Sequence, residues 1–592
     1  MSDQKNLILA VVLSVVILML WDMMYRRPAV DDLAPPPSAE QPSPERQSPA
    51  PQAPPAVSSG SAPTAPTAPG TSATAPMTRQ AFSATDDSPR VSIDASRIKG
   101  SIRLEGARID NLLLSDYRKT IEPDSENIVL LSPAGTPNSY YVEFGWAVGA
   151  GTNAPVPNTT TPWQANGDVL VPGAPITLEW DNGGGLLFQR TIFVDENYLI
   201  SISQRVSNNG TAPVTLHPYG LVSRANPPET LGFFILHEGP IGVLNDDLEE
   251  IDYDDLQDDG RQTVQSTGGW LGITDKYWLT ALVPDQSESI HTSFNHTVVD
   301  GTDQYQVDFL GGPRVIPAGG AIEVSSQLFA GAKEVHLLDT YTETQGIPRF
   351  DLAVDFGWFY FLTKPIFFVL DYLNRGLENF GLAILAFTVI IRILFYPLAN
   401  KSFRAMHAMR KLQPEMTKMR EQYADDRQKL HQAMMDLYRR EKVNPMAGCL
   451  PIAMQIPVFF ALYKVLFVTI EMRHAPFYGW IQDLSAADPT TMFNLFGLIP
   501  WDPPLFLQIG IWPLLMGVSM FLQQKINPQP VDPIQAKIFL ALPIVFTFVL
   551  AQFPAGLVIY WTWNNVLSMA QQWMIYKRAG ITKQPTQPAK PT

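Results

Sequence analysis

FGLAILAFTVIIRILFYPL, residues 380–398, is an apolar run long enough to cross a bilayer, with Arg392 inside it and Asn400, Lys401 and Arg404 directly behind it. A guanidinium in a spanning helix costs from about 2.5 to more than about 10 kcal/mol, depending on how far water and headgroups reach it. Such a charge calls for a wet cavity in the surrounding helix bundle. Arg392 also stands six residues before Leu398, roughly 9 Å below that end at 1.5 Å per residue. From there the side chain can snorkel to the headgroups without any function, so position alone leaves both readings open.

After Leu398 the chain turns polar. Residues 400–444 carry eleven Lys or Arg against six Asp or Glu, which places this loop in the cytoplasm by the positive-inside rule. Met406, Met409, Leu412, Met416, Met419 and Tyr423 recur at helical spacing. Ala424, Asp425 and Asp426 read as a turn, and Leu430, Met434 and Leu437 resume the stripe. The pattern predicts a two-helix hairpin whose first arm Pro414 starts or kinks. Its methionines either pack the hairpin or offer an adaptable surface to apolar clients, the second reading resting on Met406, Met409, Met416, Met419 and Met434.

Further apolar segments follow at 449–470, 505–521, 538–553 and 556–573, the last two forming a tight hairpin about Pro554. Counting spans from the basic loop puts Lys577, Arg578 and Lys583 of a 577–592 tail in the cytoplasm. Within these segments Thr388 shares the Arg392 face at four residues' spacing, and Gln455 lies near the same depth between two prolines. Tyr560, Trp561, Asn564 and Asn565 can supply an amphipathic wall. All have a plainer role as interhelical hydrogen-bond partners. No acidic residue lies in the apolar core of these spans, so a partner for Arg392 is expected from elsewhere. Lys464 is expected to snorkel, and the lone Cys449 reads as a buried thiol.

Toward the N-terminus, residues 356–373 are aromatic and apolar but interrupted by Lys364, Pro365 and Asp371, and are expected to lie in the membrane interface. This element sits in a connecting segment, 346–379. Residues 91–345 alternate with period two between turn signals, as in Ile176, Leu178, Trp180 and in Tyr198, Ile200, Ile202, Val206, which predicts a large all-β sandwich. Residues 246–259 hold nine carboxylates without calcium-loop spacing and read as a solvated acidic loop. The histidines at 217, 237, 291, 296 and 336 show neither metal nor triad spacing. Residues 28–90, rich in Pro, Ala, Ser and Thr, cannot bury a core and are expected to be an extended tether. Residues 1–27, with an apolar run at 7–21 followed by Tyr25, Arg26 and Arg27, read as an uncleaved transmembrane anchor.

FTVIIRILFYPL, KLQPEMTKMRE, EKVNPMAGCLPIAMQIPVFFALY and FPAGLVIYW, in that order, resemble the YidC family of membrane protein insertases over residues 355–576. The anchor, tether and β domain resemble the family's Gram-negative bacterial form. The resemblance implies a polytopic α-helical bundle of six spans, with a five-helix insertase core at 380–576, and a periplasmic β-sandwich similar to sugar-mutarotase folds but without their activity. It also implies a hydrophilic groove open to cytoplasm and lipid, with Arg392 as its arginine and Thr388, Gln455 and Trp561 on its walls. Implied partners are nascent membrane proteins, lipid, the Sec translocon and the ribosome, in the bacterial inner membrane with both termini cytoplasmic. Two departures stand out: Lys464 replaces an uncharged residue, and MFNLFGLIPWDPP, residues 492–504, is extra sequence before the fourth span.

No GxxxxGK[ST] or HExxH run occurs, so neither nucleotide hydrolysis nor zinc chemistry is expected, and the chain reads as a non-enzyme without cofactor or metal. A secondary transporter would show paired half-repeats and intramembrane carboxylates. A membrane-anchored carbohydrate-binding protein would act through the β domain, and deleting that domain separates it from an insertase.

Overall fold

The computed structural model describes residues 65–66, 88–149, 152–228, 236–357, 359–423, 426–441, 443, 450–495, 499, 501, 503–504, 507–526 and 533–578. The predicted anchor, nearly all of the tether, the hairpin turn at Ala424 and Asp425, Cys449 and the tail beyond Arg578 lie outside these residues.

Residues 90–332 form the expected sandwich. The larger, eleven-stranded sheet runs in the order Gln262–Thr267, Ser289–Val299, Thr302–Gly311, Val214–Ala225, Tyr140–Val148, Arg108–Arg118, Ile98–Arg103, Arg90–Asp94, Val169–Leu170. Two further strands, Arg314–Ile316 and Asn127–Leu131, pair beside this path. The nine-stranded sheet runs Asp247–Glu250, Gly239–Leu244, Trp270–Thr274, Trp278–Val283, Ala321–Ala332, Leu199–Asn208, Leu186–Val194, Ile176–Asp181, Gln164–Ala165. The alternation in the sequence sets the register. Ile200, Ile202 and Val206 all point inward from one strand, and each large aliphatic side chain so buried contributes about 1.5–3 kcal/mol. The acidic stretch departs from expectation: it is an edge strand, Asp247–Glu250, and a short helix, α1 (Tyr253–Asp259). Tyr253 and Leu256 enter the core and anchor that helix, while its carboxylates face solvent.

Helix α2 (Val335–Gln345) closes the sandwich, and α3 (Tyr360–Leu377) covers the predicted interfacial segment. One face of α3 buries Ile366, Phe367 and Leu370, and another exposes Phe361 and Tyr372. Lys364 of α3 binds Asp339 of α2 at 2.8 Å and Asp351 at 2.7 Å, while Asp371 meets His336 at 2.9 Å. The pairs with Asp339 and His336 tie α3 to α2, and the one with Asp351 ties it to the segment after α2.

The C-terminal half comprises α4 (Phe380–Leu394), α5 (Tyr396–Gln422), α6 (Arg427–Arg440), α7 (Leu450–Val468), α8 (Ile511–Ile526), α9 (Pro533–Leu550) and α10 (Ala555–Arg578). Residues 380–398 are not one straight helix. The chain bends by 67° between α4 and α5, because Pro397 in the first turn of α5 has no N–H to continue the earlier ladder. Among the described residues no single helix is long and apolar enough to cross a membrane; Phe380–Leu394 and Tyr396–Met406 meet that test together. Helix α5 continues through Pro414, which therefore does not start the first arm of the hairpin. Helix α8 starts at Ile511, six residues later than the apolar run suggests. Asp488 sets that start: one oxygen accepts from Trp512 N at 2.9 Å, and the other from Thr490 N and Oγ1 and from Trp480 Nε1. A carboxylate on the first amides of a helix satisfies orphan donors and complements the helix dipole.

The two halves meet through polar contacts. Lys464, expected to snorkel, has a fixed partner: its ammonium binds the Asp355 carboxylate at 2.8 Å. Arg473 donates to the Arg118 carbonyl at 2.6 Å and lies over Trp278, and Lys276 of the β domain caps the Phe467 ring at 3.7 Å. Glu471, just past α7, accepts from Val335 N at 3.0 Å and so caps α2 from the other half of the molecule.

Candidate functional site: a cation on a polar helical stripe

Arg392 occupies the last turn of α4, where a cation faces the negative end of the helix dipole. The helix end differs from expectation, since α4 stops two residues after Arg392 and not at Leu398. Nε donates to Asn564 Oδ1 at 2.9 Å, and Nη2 donates to Asn564 Oδ1, to the Asn564 carbonyl at 3.1 Å and to Ser568 Oγ at 2.6 Å. Every one of these acceptors is neutral. No carboxylate contacts the guanidinium among the described residues. The charge is therefore hydrogen-bonded but not neutralised, and it stays half-buried.

The partners come from one face of α10. Tyr560, Asn564 and Ser568 recur every four residues, so their side chains stack along the helix. Ser568 Oγ donates back to the Asn564 carbonyl at 2.8 Å, which holds it in place for Arg392. Tyr560 lies beside Gln455 of α7 and close enough to feel the Arg392 charge. Gln571 extends the stripe, buried with both amide atoms unpaired among the described residues. Beside the cation, Ile393 and Leu394 are 69% and 64% exposed, an apolar surface that neither residue buries among the described residues. Exposed apolar side chains continue on α9 at Leu540, Ile544 and Phe548 and on α10 at Trp573.

Three expected site residues, Arg392, Gln455 and Tyr560, thus come together. Thr388 does not open onto them: it is buried, and its hydroxyl donates to the Ile384 carbonyl of its own helix at 2.6 Å. Trp561 points elsewhere, edge-on to Phe459 with ring centres 4.7 Å apart, in the apolar cluster of Met516, Leu550 and Val558. Asn565 bonds Ser519 of α8 at 2.9 Å, a purely interhelical tie. Ser568 was not singled out from the sequence, although its place four residues after Asn564 is the signal that identifies it. In the hairpin, Met416, Met419 and Met434 pack between the arms around Leu412 and Leu437. Met406 packs on Ala399, Phe403 and Ile575, and Met409 is half-buried.

The histidines of the β domain have structural partners: His217 the Gly311 carbonyl, His237 Asp252 and the Pro240 carbonyl, His296 Asp303, and His336 Asp371. His291 stands exposed on an outer strand.

Residues 90–369 match the family described as YidC periplasmic domain, and residues 372–583 the family described as 60Kd inner membrane protein. The membrane protein insertase YidC of Methylobacterium nodulans is 49% identical, covering 98% of this chain and 96% of its own. That of Bradyrhizobium diazoefficiens is 48% identical, covering 98% and 97%. A crystal structure of an active YidC insertase with its first transmembrane domain resolved aligns with 82% of this chain and 94% of its own at 16% identity, with a TM-score of 0.34. With near-half identity sustained from end to end, the chain belongs to the YidC family of membrane protein insertases.

Proposed function

We propose that this insertase carries the short polar tail of a client across the membrane along the stripe formed by Arg392, Gln455, Tyr560, Asn564 and Ser568. The observation that carries the reading is a guanidinium bound, among the described residues, only by neutral acceptors, next to apolar surface on the same helix end. Such a cation attracts acidic residues of an incoming tail, and its pull is strong where water is scarce: about 4 kcal/mol at 4 Å for an effective dielectric constant of 20. A polar stripe reaching into the bilayer shortens the apolar barrier that the tail must cross. The client's own apolar helix then leaves into lipid, and burial of about twenty apolar residues drives the step.

In this reading the helices α4 to α10 form five spans with the cytoplasmic hairpin α5–α6 between the first two, and the anchor makes a sixth. The bend between α4 and α5 marks the cytoplasmic exit of the first of these. Both termini lie in the cytoplasm and the β domain in the periplasm, with α3 along the outer interface, supported by its exposed aromatic face and its pairs with Asp339 and His336 of α2. Met416, Met419 and Met434 meet clients only if the arms separate, whereas half-buried Met409 offers part of its side chain without that. Ribosome and Sec translocon are the partners that hand clients over. Neither a transporter's intramembrane carboxylates nor a histidine cluster suited to sugar chemistry favours the other two readings.

The test is insertion of a one-span client with an acidic exported tail into vesicles containing the purified protein. Arg392→Ala is expected to lower the initial rate about tenfold or more, equivalent to at least about 1.4 kcal/mol of lost attraction. Arg392→Lys should retain part of it, and a strongly apolar client without tail acids should depend on Arg392 least. Equal rates for wild type and Arg392→Ala with the acidic tail would remove the cation from the mechanism.

A further inference from the structure

One face of the larger sheet is buried where a sandwich should meet solvent. Tyr141, Ser223 and Gln306 stand opposite one another across three strands, as do Glu143, Leu221 and Asp308, and Gly145, Tyr219 and Leu310. Residues two apart share a face, so these nine form one patch, turned away from the core that holds Val142, Val222 and Val307. Tyr141, Tyr219, Leu221 and Leu310 make an apolar cluster of their own, and the fifth member is Ala65 of the tether, only 7% exposed. Gln306 Nε2 donates to the Pro66 carbonyl at 3.1 Å.

The floor is built for this. Gly145 leaves room for the Tyr219 ring to lie over the strand, since a Cβ there would stand 2.7 Å from it. The carboxylates are already engaged from within, Glu143 by Tyr219 at 2.7 Å and Arg108 at 2.8 Å, and Asp308 by Gln306 at 2.8 Å. What remains for a ligand is aromatic and aliphatic surface with one amide donor, the combination that grips extended proline-rich chain. The tether repeats with the matching period: residues 62–69 read APTAPTAP. A polyproline II helix has three residues per turn, so this repeat presents the same residue type along one ridge.

We propose that this outer face is a binding site for extended Ala-Pro-Thr chain, filled in the resting protein by its own tether at Ala65–Pro66. Docking divides the tether and fixes where the leash to the N-terminal anchor begins. Because the ligand is covalently attached, its effective concentration is on the order of millimolar, and weak contacts suffice.

The experiment uses the full chain in detergent with Cys449→Ser and a single new thiol, Ala65→Cys or, as a control in the same tether, Ala56→Cys. Maleimide labelling at 65 is expected to be about tenfold slower than at 56. Leu310→Lys and, as the milder change, Gln306→Ala should each speed labelling at 65 and leave 56 unchanged, and the ratio should not vary with protein concentration. Equal rates at 65 and 56, or protection that survives both substitutions, would overturn the proposal. Protection that fades on dilution would assign the patch to the tether of a second copy and overturn it equally.

Discussion

Arg392 and Glu471 are the two residues whose charges have the clearest consequences. The guanidinium is held by Asn564 Oδ1 at 2.9 Å, so Asn564→Asp would place a carboxylate where a neutral acceptor now stands. The pair would be satisfied and the fold kept, yet the cation would no longer be available to a client. Insertion of an acidic-tailed client is expected to fall about as far as in Arg392→Ala, about tenfold, while the melting temperature stays at or above wild type. Full activity in that variant would show that the charge is not read by the client. Glu471 has its pKa raised from 4.5 to about 7, first by burial and then by the nearby Glu334 and Asp371 carboxylates. Between those values the folded protein holds a proton that the unfolded chain has released. Stability therefore falls as pH rises from about 4.5 to 7, and the loss is complete above that window. Glu471→Gln keeps an oxygen for Val335 N and removes the titration, so thermal unfolding of this variant is expected to be flatter over that range and more resistant than wild type at pH 8.

Among the elements, α4 depends on one close approach. A Cβ on Gly381 would sit 2.0 Å from the Phe477 ring, so Gly381→Val must push the helix off that side chain. A loss of about 1–3 kcal/mol is expected, seen as a lower unfolding temperature in detergent. The bend after Leu394 was not legible in hydropathy, which counts residues 380–398 as one run. Pro397 was the available sign, and its meaning depends on whether the preceding residues still have somewhere to pack. The hairpin was legible in its spacing, and its Met face closes on itself through Met416, Met419 and Met434 because two amphipathic arms of similar length are each other's nearest apolar surface. Met416→Ser is accordingly expected to destabilise the hairpin by about 2 kcal/mol, detected as faster backbone hydrogen exchange across α5 and α6. Unchanged exchange would mean the arms are not held by that contact.

At the scale of the molecule, the β domain and the helical half are joined by groups that sequence assigned to other duties. Lys464, read from the sequence only as a snorkelling cation, binds Asp355. Removing one partner of this largely buried pair, as in Lys464→Ala, is expected to cost on the order of 2 kcal/mol and to loosen the β domain, measurable as faster proteolysis between the halves. A proteolysis rate equal to wild type would make the pair incidental. The chain order by itself determined the sandwich, the basic hairpin, the apolar helices and the cation at 392, because periodicity, charge bias and apolar length are local properties that packing seldom reverses. Family membership was legible for the same reason: its motifs are short and keep their order. Only the tertiary structure decided which polar side chains share a space. Asn564 and Ser568 face Arg392, while Thr388 and Trp561 turn to other neighbours, since the rotation of a helix about its axis is set by contacts with elements distant in sequence. The tether's seat on the sheet belongs to the same class, a meeting of residues 65–66 with strands far down the chain that no local pattern announces.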